Sequence, residues 1–158
     1  MKVLILNRQQ VKELLPMRAC MVVLAEAFKA YSRGDAVQPL RTVMKVPGSG
    51  GVLASMPGYD GASEALAVKL ITVFHNTSEG PFDSHQGLVA LFSSEHGNLL
   101  AIMDAIEITA IRTAAASGVA TEALARKDAT TLAILGAGVQ AKSHFYAMTE
   151  ARNIQSVR

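Results

Sequence analysis

The run Ile134-Leu135-Gly136-Ala137-Gly138-Val139-Gln140-Ala141 has the residue types and spacing of a turn that receives a pyrophosphate. Gly136 would make the tight bend, Gly138 would let the backbone approach the phosphates, and the small Ala141 would let helix and strand pack closely. The helix that follows offers unpaired N–H groups and the positive end of its dipole. Such turns also occur in folds that bind nothing, so the motif alone leaves binding open. The acidic or basic residue that distinguishes NAD(H) from NADP(H) is expected about 20 residues further on, beyond Arg158.

Three basic residues could hold an anion. Lys69 interrupts the apolar run Ala65 to Phe74. An unpaired charge buried there would be costly, so Lys69 either snorkels at a sheet edge or faces a pocket that takes an anion. Arg112 lies in Ile111-Arg112-Thr113-Ala114-Ala115-Ala116-Ser117. Its small neighbours leave room for a bidentate carboxylate, and an ordinary exposed helix arginine is the competing reading. Arg41 shares a strand face with Val43 and Lys45, where exposed decoration is the default. His75, His85, His96 and His144 have no metal-site spacing, and Cys20 is the single cysteine, so no metal site is expected. No serine-histidine-aspartate motif is present either.

The elements that would position these residues follow from periodicity. Val3 to Leu6 reads as a strand. A helix follows in two pieces, with Pro16 opening the second and Met21, Leu24, Ala25, Phe28 and Tyr31 forming its core stripe up to a stop at Gly34. From Val37 the period is two through Val46, and Pro47 to Gly51 turns the chain into a strand over Val52 to Met56. Pro57-Gly58 should end that strand, with a polar loop to about Glu64. Ala65 to Phe74 is the next strand, and His75 to Gln86 a polar loop containing Asn76, Gly80 and Pro81. Gly87 to Ser93 and Leu99 to Met103 form a hairpin. Asp104 and Glu107 have capping-box spacing at the start of a helix to about Arg126. Thr131 to Leu135 reads as a buried strand, followed by the glycine turn, a helix to about Arg152 and a strand from Ile154. The sheet should be mixed and largely antiparallel, giving an α/β chain.

Half of the 158 residues are apolar and 18% are charged, which predicts a folded, soluble chain. A net charge of +2 argues against nucleic acid or an anionic membrane as partner. The apolar start is too short for a signal peptide, and no stretch reaches the roughly 18 apolar residues of a membrane span. A cytoplasmic location is expected.

Together these pieces resemble the ornithine cyclodeaminase/mu-crystallin family. The stretch Met103 to Ser117 carries most of the likeness, leading at the expected distance into Ile134 to Ala141. Pro39-Leu40-Arg41, Met56-Pro57, Ala67-Val68-Lys69, Asn76 with Gly80, and Ser84-His85-Gln86-Gly87 support it. The resemblance implies residues 1–127 as an α+β substrate-binding and dimerisation domain with its connecting helix, and residues 128–158 as the start of a Rossmann domain. It implies NAD(H) or NADP(H) as cofactor, a small amino or imino acid as substrate, and a homodimer. Arg41, Lys69 and Arg112 take the family's carboxylate-holding positions, with Lys69 also the catalytic candidate. Gly136, Gly138, Val139 and Gln140 take the phosphate turn. Thr113 and Ser117 line the cofactor cleft by a weaker correspondence, and Ser84 and His85 fall in a substrate loop that varies between members. The implied chemistry is hydride transfer at the substrate's α-carbon, as in ornithine cyclodeaminase. The alternatives are a ketimine reductase, an alanine-type dehydrogenase, or a non-catalytic cofactor-binding or dimerisation module. The chain is about half the family's usual length, so these residues alone are expected to bind cofactor poorly and turn over little.

Overall fold

The computed structural model describes residues 2–74 and 82–158. His75, Asn76, Gly80 and Pro81 lie outside the described residues. The elements in chain order are β1 (Leu4–Leu6), α1 (Arg8–Leu14), α2 (Met17–Arg33), β2 (Ala36–Val37), β3 (Thr42–Lys45), β4 (Val52–Asp60), β5 (Ala65–Val73), β6 (His85–Ser93) and β7 (Leu99–Asp104). They continue as α3 (Ala105–Leu124), β8 (Thr131–Leu132), α4 (Val139–Ala151) and β9 (Ser156–Val157). The fold is α/β with a mixed sheet, as the sequence predicts. It divides into two compact units, Met1–Val11 with Ala30–Ile106, and Lys12–Lys29 with Glu107–Arg158.

The first unit is built on a sheet in the order β1-β7-β6-β5-β4-β2, with β3 also paired to β4. β1 runs parallel to β7, and the remaining pairs are antiparallel. Asn7 ends β1 and caps α1 reciprocally. Its Oδ1 accepts from the Gln10 N–H at 3.0 Å, and its own N–H donates to Gln10 Oε1 at 3.0 Å. At the far end of α2, Gly34 takes φ +84°, donates to the Tyr31 carbonyl, and lets Asp35 donate back to Ala30. Glycine is the residue that takes this left-handed stop without strain.

Three boundaries in this unit differ from expectation. The alternating run from Val37 to Val46 is two strands, β2 and β3, with residues 38–41 outside both. β4 does not stop at Pro57-Gly58 but continues to Asp60, pairing Pro57 with Val68 and Gly58 with Ala67. On its other side β3 covers Val52 to Ser55 and β2 covers Tyr59 and Asp60. Pro57 therefore falls in the interval where β4 has no second partner and a missing N–H breaks no ladder. β6 begins at His85, two residues before the expected Gly87, because its ladder with β5 continues out to the Val73–His85 pair.

The second unit packs small residues against one long side chain. Cys20, Met21, Ile111 and Ala115 form its buried cluster, joined by Leu24, Val119 and Ala151. A Cβ on Gly118 would stand 2.9 Å from Met21 Cε and 3.4 Å from Ala147 Cβ, so glycine lets the helices approach there. The stripe expected on α2 is only partly a core face. Met21 is 1% exposed, but Phe28 is 49% exposed and, in the sheet unit, Tyr31 is 57% exposed. Ala27 and Ala30 fill the inward positions instead, Ala27 half-buried and Ala30 fully buried.

The expected buried strand Thr131 to Leu135 is also corrected. Only Thr131 and Leu132 are strand, and Leu135 is fully exposed. Leu132 and Ile134 are half-covered while Thr131, Ala133 and Leu135 are exposed, the alternation of a strand with a single covered face. Past the C-terminus of α3, the Arg152 guanidinium donates to the carbonyls of Thr121, Glu122, Ala125 and Arg126 at 2.8, 3.1, 2.7 and 2.9 Å.

Candidate functional site

In the second unit β8 and β9 pair in parallel, and Ile134 N–H donates to the Arg158 carbonyl at 2.8 Å. The chain then bends at Gly136, φ +108°, and enters α4 through Gly138 as N-cap. No side chain caps that helix. The first N–H groups of a helix have no intrahelical acceptor, so those of Val139, Gln140 and Ala141 remain available beside the positive dipole end. They border an open cleft of about 490 Å³ lined by Gly136, Gly138, Gln140, Ala141, His144 and Met148 among others. A Cβ on Gly136 or Gly138 would meet nothing within 4 Å, so internal crowding does not explain either glycine. Gly136 answers to its positive φ. The space before Gly138 is where a ligand backbone would approach, so the geometry fits a pyrophosphate group.

His144 lines this cleft and hydrogen-bonds Ser117, which the family resemblance sets along the cofactor cleft; spacing gives no sign of their contact. Ser117 Oγ on α3 lies 3.1 Å from His144 Nε2, and His144 Nδ1 lies 2.7 Å from the Gln140 carbonyl. A carbonyl only accepts, so Nδ1 carries the ring proton, and in the neutral ring Nε2 accepts from Ser117. Thr113, half-buried on α3, donates its hydroxyl to the Thr109 carbonyl at 2.6 Å. Arg112, beside it, is exposed. Burial pushes the Cys20 thiol above its ordinary range, and the positive charge of Arg112 pulls the other way with a smaller effect.

The other two basic candidates belong to the sheet unit. Lys69 is half-buried at the middle of β5, between Met56 of β4 and Val89 of β6. β5 is an interior strand, so the sheet-edge reading of Lys69 is excluded. Arg41 is exposed and stands just before β3, outside any strand. Thr42 pairs with Ser55 and Lys69 pairs with Met56, so Arg41 and Lys69 each stand one residue from the Thr42–Ser55 pair along their own paths. Ser84 Oγ and His85 Nδ1, at the start of β6, lie 3.0 Å apart and exposed. Among the described residues no group of histidine, cysteine, aspartate and glutamate could hold a metal ion, and no helix is long and apolar enough to cross a membrane.

The sequence model of the ornithine cyclodeaminase/mu-crystallin family matches residues 1–158. The chain belongs to this family. A ketimine reductase mu-crystallin of Rattus norvegicus is 44% identical over 131 residues, covering 83% of this chain and 42% of the rat protein. The solved Thermococcus litoralis Delta(1)-pyrroline-2-carboxylate reductase, in complex with NADH and L-proline, is 39% identical. It superposes at a TM-score of 0.93 over 98% of this chain and 48% of its own. An archaeal alanine dehydrogenase dimer with bound NAD is 30% identical and superposes at 0.93, over 99% of this chain and 48% of its own. The chain therefore spans about half the length of the curated relatives it matches.

Membership in the ornithine cyclodeaminase/mu-crystallin family accounts for the order of the motifs along the chain. It does not by itself single out the pair Ser117 and His144, 27 residues apart and joined by one hydrogen bond. The one local signal for that pair is the histidine four residues after Gln140, where a helical side chain reaches back to the carbonyl one turn earlier.

Proposed function

We propose that this chain supplies the carboxylate-holding residues and the phosphate turn of a nicotinamide-dependent enzyme acting at the α-carbon of a small amino or imino acid. The cleft at the uncapped start of α4 carries the reading, because its glycine turn, free N–H groups and volume suit a dinucleotide pyrophosphate. Residues 1–127 would form the substrate and dimerisation domain, and residues 128–158 the start of the dinucleotide-binding domain. Gly136, Gly138, Val139 and Gln140 receive the phosphates in this reading, and Thr113 lies along the cofactor. Arg41, Lys69 and Arg112 take the substrate carboxylate. Arg112 offers a planar fork suited to two carboxylate oxygens, while Lys69 contributes a compact charge and is the catalytic candidate. Fixing the carboxylate sets the distance and face of the α-carbon, which lowers the entropic part of the barrier. The bound nicotinamide supplies or accepts the hydride.

Among the variants of this chemistry, reduction of a cyclic ketimine is favoured by the activities named for the mammalian and Thermococcus relatives. Ornithine cyclodeamination and alanine-type dehydrogenation use the same carboxylate clamp and are the alternatives. Homodimerisation, supported by the dimeric archaeal relative, and a cytoplasmic location belong to the same reading. The two-strand, one-helix arrangement of residues 128–158 is too small to enclose a dinucleotide. These 158 residues alone are accordingly expected to bind cofactor weakly and to turn over little. The deciding assay is loss of NADH or NADPH absorbance when the whole protein is given a cyclic imino acid. In Arg112→Ala, loss of a charged bidentate contact should raise KM about tenfold or more with the fold intact. Unchanged KM would remove Arg112 from the site, and absence of turnover with any imino or amino acid would favour a binding module.

A further inference from the structure

We infer that Ser117 and His144 are positioning residues for the phosphate turn, a role that rests on the dinucleotide reading of the α4 cleft. Three observations converge on them. His144 lines the cleft, one helical turn beyond Gln140. Its Nδ1–H donates to the Gln140 carbonyl at 2.7 Å, and its Nε2 accepts from Ser117 Oγ at 3.1 Å. The N-terminus of α4 has no side-chain cap of its own.

A capping side chain at Gly138 would satisfy the first N–H groups and compete with an anion for them. α4 leaves those groups open, and an uncapped first turn is prone to fray. The imidazole restrains that turn from the other side. It holds the Gln140 carbonyl, within the first turn, while Ser117 anchors the ring to α3. The open N–H groups are thereby held in place without being occupied. The Gln140 carbonyl fixes the ring tautomer and so leaves Nε2 as the acceptor that the Ser117 hydroxyl meets. The pair acts through the backbone of Gln140 and does not itself receive phosphate.

The test uses the whole protein, with NADH and NADPH as probes followed by fluorescence titration. Ser117→Ala and His144→Asn should each raise the dissociation constant about fivefold, the worth of one hydrogen bond. The double variant should be no worse than either single one, because both interrupt the same chain. The kcat at saturating cofactor should stay within about twofold. Nitrogen NMR of the imidazole should show the Nδ1-protonated tautomer in the parent and in Ser117→Ala, because the Gln140 carbonyl still requires it, while Ser117→Thr should restore parent affinity. Unchanged affinity in folded Ser117→Ala and His144→Asn, additive losses in the double variant, or a parent ring protonated at Nε2 would overturn the assignment. If the parent bound neither dinucleotide, the reading of the cleft would fall, which is a different outcome from loss of the pair's effect.

Discussion

Substituting Arg152 by methionine keeps most of the aliphatic stem and removes the guanidinium that gathers the end of α3. In the parent that group donates to the carbonyls of Thr121, Glu122, Ala125 and Arg126, and also to Ala151 at 2.6 Å. The last carbonyls of a helix lack intrahelical donors, and a cation there also meets the negative end of the dipole. A hydrogen bond to a charged group contributes about 1.5–3 kcal/mol, while the dipole adds about 0.3–1 kcal/mol. The bonds share one half-buried guanidinium, and water can replace some of them, so they do not add fully. A loss of about 2–4 kcal/mol follows, a large share of the 5–15 kcal/mol typical of a domain. Chemical denaturation followed by the helical circular dichroism signal, with a melting curve beside it, measures this directly. Tm should fall by roughly 5–15 °C, and Arg152→Lys should lie between parent and methionine variant because an ammonium reaches fewer of these carbonyls. The exposed Lys127→Met serves as control and should change stability by less than about 0.5 kcal/mol. A loss in Arg152→Met as small as the control's would refute the argument that this side chain closes the end of α3.

Gly136→Ala forces a side chain into φ +108° and should destabilise the turn by about 1–3 kcal/mol. It should also weaken dinucleotide binding in the whole protein, and titration at parent affinity would show the turn to be tolerant. The Cys20 thiol is buried and shifted upward, chiefly by burial, so it should resist a disulfide reagent at mildly alkaline pH until the protein unfolds. Rapid labelling of the native protein would contradict that packing. Asp60 is held below its ordinary range, first by the Ser63 hydroxyl donating at 2.5 Å and further by the Ala62 N–H at 3.2 Å. A depressed carboxylate contributes stability above its unfolded pKa and loses it as pH falls through the folded value. Acid unfolding in that low-pH window should therefore be shallower in Asp60→Asn, and identical acid limbs would exclude a contribution from this turn.

What was legible in the sequence tracks what is decided locally. The apolar runs of β4, β5 and β6, the glycine stop of α2 and the glycine turn before α4 are each set by residues a few positions apart. Pro57 misled because its effect on a strand depends on whether a neighbour needs its N–H. Here none does, because Pro57 falls in the interval between the pairings of β3 and β2 with β4. Phe28 and Tyr31 keep helical spacing with Met21, yet the inward positions near them went to Ala27 and Ala30. Periodicity marks an apolar face but not its width, and small residues claim the closest contacts.

The candidate site divides along the same line. The bend at Gly136 and the helix start at Gly138 could be read from spacing because a glycine turn before a helix is a local backbone shape. The sheet-edge reading of Lys69 could be rejected only once β4 and β6 were seen on its two sides. Arg41, expected on a strand face, stands just before β3, whose start at Thr42 is set by its pairing with Ser55. Ser117 and His144 were harder still, since each is unremarkable on its own helix. Their roles come from one hydrogen bond across 27 residues and one to a main-chain carbonyl. Arg152 is the extreme case, because its acceptors are all backbone carbonyls, which every residue carries. Side chains that act on distant backbone leave no compositional trace at their targets. Such residues are therefore where a structure adds most to a family resemblance, and Arg152 and His144 are the two of this kind whose substitution tests it.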